Sequence, residues 1–163
     1  MKFLTLIRHG NSPNDDKLSD FERILSEKGK IEAQKTGEYL LNNILKPDII
    51  ISSPAKRASE TAQIIAEKIN YPLEKIKYID ELYLCTSSDY IEILMEENDK
   101  IKHIFVVSHN PGTSDLAYIL TNENIEDLPT CGVVHIEFDF YKWSDIDQGT
   151  GKLLKFITPN TIK

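Results

Sequence analysis

The chain has 163 residues, 40% hydrophobic and 28% charged, enough for one domain with a buried core and too ordinary for a collagenous, low-complexity or disordered chain. Its formal net charge is −7, from 26 acids against 19 bases, so its field disfavours nucleic acid and anionic membranes, and any phosphate site must be a local concentration of positive charge. Two cysteines, Cys85 and Cys131, make no disulfide framework. The opening MKFLTLI is too short for a signal peptide, and no apolar run approaches the ~18 residues of a spanning helix, so a cytoplasmic protein with free thiols is expected.

Lys2 to Ile7 is a short apolar run with β-branched members, a buried strand that stops at Arg8-His9-Gly10. Residues 11 to 25 are rich in Asn, Asp and Ser and read as a surface loop. Ser26 suits a helix N-cap and Glu27 the first turn. Ile31, Ala33, Thr36, Gly37, Leu40 and Leu41 then mark an amphipathic helix that Pro47 ends. Asp48 to Ile51 is a second strand. Pro54 suits the first turn of a helix running to Ile69, with Ala58, Ala62, Ile65 and Ile69 on its inner face. Ile76 to Ile79 is a third strand, and Ser87 or Ser88 caps a helix through Met95. Ile104 to Val107 is a fourth strand, followed by a helix from Thr113 to Leu120. Val133 to Phe140 alternates apolar and polar groups and reads as a half-exposed antiparallel edge strand, with Lys152 to Ile157 able to pair with it. Residues 1–163 show no repeat and no composition shift, so one domain is expected.

Strands alternating with helices predict an α/β fold: a three-layer αβα sandwich around a mostly parallel sheet with an antiparallel edge. Ligands of such sheets sit at the carboxyl ends of the strands. The first strand ends at Arg8 and His9, the fourth at His109, and the second just before a helix carrying Arg57, whose start favours anions. Taken singly, each is unremarkable: a structural histidine, a surface arginine beside Lys56, a second structural histidine. Gly10 adds that the backbone can approach a ligand closely. Read together they are a four-member phosphate site.

These residues resemble the histidine phosphatase superfamily, which includes the phosphoglycerate mutases. The resemblance rests on Arg8-His9-Gly10 after the first strand, on the Ser-Pro-x-x-Arg-Ala-x-x-Thr-Ala segment from Ser53 to Ala62, and on Ser108-His109 after a late strand. The Leu25 to Gly29 segment also looks like the family's entry into its first helix. The matches run in the expected order over residues 3 to 112, with weaker similarity from Pro129 to Phe140. The length leaves little room for the cap carried by mutases and larger acid phosphatases, so the chain looks most like the compact SixA-type phosphohistidine phosphatases.

The resemblance implies a phosphoglycerate mutase-like fold and a covalent mechanism in which His9 attacks phosphorus and is later dephosphorylated by water. Neutral imidazole is required, and Arg8 and Arg57 oppose its protonation. Both arginines offer forked donors to phosphate; His109, if protonated, adds another, and no metal or other cofactor is needed. A leaving oxygen would want a proton. Glu81 is the first candidate and Asp80 the second, although Asp80-Glu81 reads equally as a solvated acidic pair at a strand end. Asn11 and Ser12 come after the triplet and are polar candidates for phosphate contact, as is Asn110; a plain loop role fits them as well. His103 and His135 read as structural or exposed, and nothing marks Cys131, beside Thr130, as a nucleophile.

The implied substrate is phosphohistidine in a phosphorylated protein such as a histidine phosphotransfer domain, acted on by a monomer. A small phosphorylated substrate for a phosphomonoesterase or mutase, and a phosphohistidine-binding module without turnover, are the rivals. A zinc hydrolase built on His9 and His109 is disfavoured by the flanking arginines.

Overall fold

In the computed structural model, residues 1–125 and 127–162 are described. One six-stranded sheet runs through the molecule. Its strands are β1 (Lys2–Arg8), β2 (Ile49–Ser52), β3 (Lys77–Tyr78), β4 (His103–Ser108), β5 (Val133–Phe138) and β6 (Gly151–Ile157), in the spatial order β3-β2-β4-β1-β5-β6. The pairs β1/β4, β2/β4 and β2/β3 are parallel, whereas β5 runs antiparallel to both β1 and β6. The register sets Arg8 beside Ser108 and Ser52 beside Val107, so β1, β2 and β4 end at one rim.

The two faces are covered by helices α1 (Glu27–Asn43), α2 (Lys56–Lys68), α3 (Ser87–Met95) and α4 (Gly112–Thr121). Alternate side chains of a strand point to opposite faces. Ile7, Phe105 and Val107 therefore pack with Leu40 of α1 and Ala58, Ala62 and Ile65 of α2. Leu4, Leu6 and Val106 pack on the other side with Tyr90 and Leu94 of α3, Leu116 and Leu120 of α4, and Trp143. The expected three-layer αβα sandwich is the fold observed.

Local details differ from the sequence expectation in instructive ways. Ser26 does cap α1, accepting the Gly29 N–H, but Ile31 and Leu41 face outward, and the buried stripe is Gly29, Ala33, Thr36, Gly37 and Leu40. Helix α2 begins at Lys56 rather than at Pro54, because the Ser53 hydroxyl first turns the chain by accepting the Ala55 N–H. Thr86, not Ser87 or Ser88, caps α3, in a reciprocal pair with Asp89.

The larger correction concerns β5. It is not an edge strand: it lies between β1 and β6, and its residues are buried apart from the half-buried Glu137. Its alternation of polar groups does not mark a solvent face. His135 turns inward to the hydroxyl of Thr5 (Nδ1 to Oγ1, 2.9 Å), which His103 Nε2 also meets at 2.8 Å. A hydroxyl can accept from one ring and donate to the other, so the polar group is satisfied internally. Both imidazoles are buried, and both are held near pKa 4 chiefly by burial.

Candidate active site

The rim at which β1, β2 and β4 end gathers the four residues singled out in the sequence. Arg8 is the last residue of β1, Arg57 the second of α2, and His109 comes directly after β4. His9 and His109 lie with ring centroids 5.2 Å apart, both nearly buried. The His9 backbone is fixed on two sides: its N–H donates to the Ser108 carbonyl at 3.1 Å, and its own carbonyl accepts the Cys131 N–H, also at 3.1 Å. Nδ1 of His9 lies 2.8 Å from the carbonyl oxygen of Gly10. A carbonyl can only accept, so the proton sits on Nδ1 and a lone pair on Nε2.

Gly10 and Gly29 make the wall behind this imidazole. A Cβ on Gly10 would stand 2.8 Å from the Gly29 carbonyl oxygen, and one on Gly29 would stand 2.3 Å from the Asn11 carbonyl oxygen. The loop after β1 thus lies directly on the first turn of α1, main chain against main chain. The Gly10 N–H donates to Thr61 Oγ1 (3.0 Å), whose hydroxyl donates to the Arg57 carbonyl at 2.7 Å. One threonine of α2 therefore couples the loop that follows His9 to the turn that carries Arg57.

The electrostatics favour a neutral imidazole at His9. Burial, more than any charge, holds His9 down to a pKa of about 4; Arg57 and Arg8 push the same way, while the Gly10 bond opposes them. His109 is held lower, at about 3, by burial first, then by His9 and Arg57. His109 is therefore neutral at physiological pH while the site is empty, and the contact expected of a protonated His109 requires an arriving anion to raise its pKa. Its Nε2 shares a 2.7 Å hydrogen bond with Ser53 Oγ.

Guanidinium groups dominate the remainder. Arg8 Nη1 donates to the Leu128 carbonyl at 2.9 Å. Arg57 is 3% exposed; its Nη1 donates to the Asp20 carbonyl (2.6 Å) and its Nη2 to the Asp20 carboxylate (3.1 Å). Among the described residues, the buried side-chain nitrogens without a hydrogen-bond partner are Nε of Arg8, Arg23 and Arg57 and Nδ1 of His103 and His109. All but one belong to this rim, where donors outnumber acceptors. An oxyanion would redress the balance, since a buried unpaired donor costs about 1–3 kcal/mol. An apolar hollow of about 330 Å³, lined by Leu40, Ile44, Pro47, Ile69 and Phe105 among others, holds none of these groups.

The other candidates make contacts of their own. Asn11 accepts the Ser26 hydroxyl on its side-chain oxygen (2.7 Å) and donates its backbone N–H to Glu32 (3.0 Å), so it braces the start of α1. The Ser12 hydroxyl donates to the Ile24 carbonyl, and Asn110 bridges Asp127, Leu128 and Ser114. Glu81 and Asp80 lie on a 3-10 turn (Asp80–Leu82), both exposed; Glu81 lines a surface groove with Lys77, Asp89, Glu92 and Glu97, and no described hydrogen bond or ion pair joins it to Arg8, His9, Arg57 or His109. Cys131 is buried, with its thiol pushed far up by burial, and neither cysteine is in a disulfide. Among the described residues no group of three or more His, Cys, Asp or Glu side chains could hold a metal ion, and no helix is long and apolar enough to cross a membrane.

Sequence reading missed three residues of the rim: Asp20, Arg23 and Tyr83. Asp20 is ion-paired to Arg57 (3.1 Å) and to Arg23 (3.0 Å), and the Tyr83 hydroxyl donates to its carboxylate at 2.5 Å. Tyr83 also sets its ring edge-on to His109, centroids 5.6 Å apart. These contacts, the Tyr83 bond foremost, hold the Asp20 carboxyl down to a pKa of about 2 against the opposing effect of burial. The only local signal was an Asp and an Arg three apart in a loop without periodicity.

Comparison with known proteins agrees with this geometry. The profile of the histidine phosphatase superfamily (branch 1) matches residues 4–105. An uncharacterised protein of Mycobacterium tuberculosis (strain H37Rv) is 29% identical over 163 residues, covering 94% of this chain and 99% of its own. An uncharacterised chloroplastic protein of Arabidopsis thaliana is 26% identical over 151 residues, covering 87% of this chain and 69% of its own. Among solved structures, the protein histidine phosphatase SixA complexed with tungstate superposes with a TM-score of 0.85 at 22% identity over 99% of both chains. A putative phosphohistidine phosphatase SixA from Agrobacterium tumefaciens gives 0.83 at 24% identity, covering 97% of this chain and 98% of its own. The chain belongs to the histidine phosphatase superfamily, branch 1.

Proposed function

We propose that this protein is a metal-independent phosphatase that uses His9 as its nucleophile, and that its substrate is phosphohistidine in a signalling phosphotransfer protein. The observation that carries the reading is the state of His9: a buried imidazole with its proton on Nδ1, a pKa of about 4, and two arginines beside it. An unprotonated Nε2 is what attack on phosphorus requires. Arg8 and Arg57 would hold the equatorial oxygens through forked donors, as positioning and charge neutralisation are the main catalytic needs of phosphoryl transfer.

In the first step the P–N bond to the substrate's imidazole breaks as the Nε2–P bond of His9 forms. In the second, water attacks phosphorus, restores His9 and releases inorganic phosphate. A protonated imidazole leaves phosphorus readily, so this substrate has little need of Glu81 as a proton donor. A phosphate ester would need a stronger acid. The likeness in fold to SixA proteins supports the same substrate class, as does a length that leaves little room for a cap.

The test is a trapping experiment. Incubation with a 32P-labelled phosphohistidine protein, quenched in alkali because phosphohistidine is acid-labile, should leave label on His9, and turnover should exceed that on a panel of sugar phosphates. Absence of both label and turnover would leave a phosphohistidine-binding module; faster turnover of the sugar phosphates would leave a small-molecule phosphatase.

A further inference from the structure

We propose that the carboxylate of Asp20 is an internal counter-anion: it occupies the oxyanion seat of Arg57 and Arg23 in the empty enzyme and yields that seat when a phosphoryl group arrives. The inference rests on the reading of the rim as a phosphate site.

Three contacts define the seat. Asp20 Oδ2 lies 3.1 Å from Arg57 Nη2, Oδ1 lies 3.0 Å from Arg23 Nη2, and the Tyr83 hydroxyl donates to Oδ2 at 2.5 Å. The carboxylate therefore spans two guanidinium groups with one oxygen on each, an arrangement that a phosphoryl group, with more oxygens and more charge, can better. The partners differ in burial. The Arg57 side chain is 4% exposed, whereas that of Asp20 is 50% exposed. The cation is fixed in the wall; the anion sits on its outer side with a route to solvent.

The loop need not move for the exchange to occur. The Phe21 carbonyl accepts the Lys56 N–H at 2.9 Å, the Asp20 carbonyl accepts Arg57 Nη1 at 2.6 Å, and Arg23 Nη1 donates to the Ser12 carbonyl at 2.6 Å. These bonds to main-chain groups pin the loop at and beyond Asp20. Rotation about its side-chain torsions alone would free the carboxylate and leave Arg57 aimed where it was. The Tyr83 hydroxyl would then be released next to His109 as a further donor.

Such an anion has two consequences. It keeps a buried guanidinium paired when no substrate is present, a state otherwise costly to hold. It also competes with free phosphate at high local concentration, so the product is held less tightly than the arginines alone would hold it.

The test is Asp20→Asn, which keeps the shape and removes the charge, with Asp20→Ala as a second variant. Inorganic phosphate and tungstate are titrated as inhibitors of aryl phosphate hydrolysis and, by calorimetry, as ligands. Both variants should bind the anions about tenfold more tightly than the wild type, or better, the worth of one charge-assisted hydrogen bond. Without phosphate they should melt lower than the wild type, and phosphate should raise their melting temperature more than it raises that of the wild type. Equal or weaker anion binding in both variants overturns the inference and leaves Asp20 as a strut for Arg57. If the wild type binds neither phosphate nor tungstate, the reading of the rim itself fails and takes this inference with it.

Discussion

Two pairs of buried histidines are carried by the neighbouring strands β1, β4 and β5, and their surroundings differ. His9 and His109 stand at the carboxyl rim, ring centroids 5.2 Å apart; His103 and His135 lie within the sheet on β4 and β5, 5.3 Å apart. Each pair is nearly buried and held neutral, mainly by burial. The pairs differ in their surroundings. His103 and His135 share the Thr5 hydroxyl and pack against Phe3, so their polar needs are largely closed within the core. The rim pair faces arginines whose donors are not all used. A perturbed histidine pair is therefore no mark of function; unspent cationic donors beside it are.

The sharpest way to break this contrast is to remove one ring from each pair. His9→Ala should lower turnover of a phosphohistidine protein by at least ~10⁴-fold with the fold intact by circular dichroism, since nothing replaces a lost nucleophile. His135→Ala should leave turnover within about twofold and lower stability by about 1–3 kcal/mol in urea titration, the cost of losing one of the two hydrogen bonds of the buried Thr5 hydroxyl. Comparable turnover losses from both would erase the distinction.

Next in size is Arg57→Lys. It retains the charge but loses the fork, and should cost about 100-fold in kcat against the same substrate, as loss of one positioned donor does elsewhere. Recovery to near wild-type rates would mean that charge alone suffices at the rim.

The smallest effect is on pH dependence, where the two pairs act alike on stability. The folded-state pKa values of His103 and His135, about 4, lie below the ordinary 6.5. The unfolded chain therefore binds more protons between those values, so their contribution is full above pH 6.5 and is lost as pH falls towards 4. His135→Gln should flatten that decline in melting temperature by one imidazole's share while leaving the pH profile of kcat/KM unchanged. The acid limb of that profile should instead track His9, near pH 4.

Much of the site was legible in the sequence, because it is built from strand ends. A buried strand announces itself by composition, and in a parallel sheet the residues just past its carboxyl end emerge at the rim. Arg8, His9 and His109 were readable on that ground, and Arg57 from the helix start after β2. Asp20, Arg23 and Tyr83 were not, since their meeting with Arg57 joins segments tens of residues apart and obeys no period. The polar positions of β5 misled for a related reason: alternation signals a wet face only when the polar groups lack internal partners, and Thr5, on another strand, supplies one for His135. Asn11, a candidate for phosphate contact, carries a second task that the sequence did not signal: its side-chain oxygen accepts the Ser26 hydroxyl at the start of α1.

The glycine-on-glycine contact behind His9 has a consequence for how such a protein can change. Because that wall is peptide backbone, no ordinary substitution can reshape it without dislodging the imidazole, and either glycine replaced by alanine should disable the site from behind. The front is lined by the side chains of Asp20, Arg23 and Tyr83 on segments whose main chain is pinned separately, so those side chains carry no such restriction. New ligands would therefore be acquired by redrawing the front alone, with the His9 imidazole held at a fixed address.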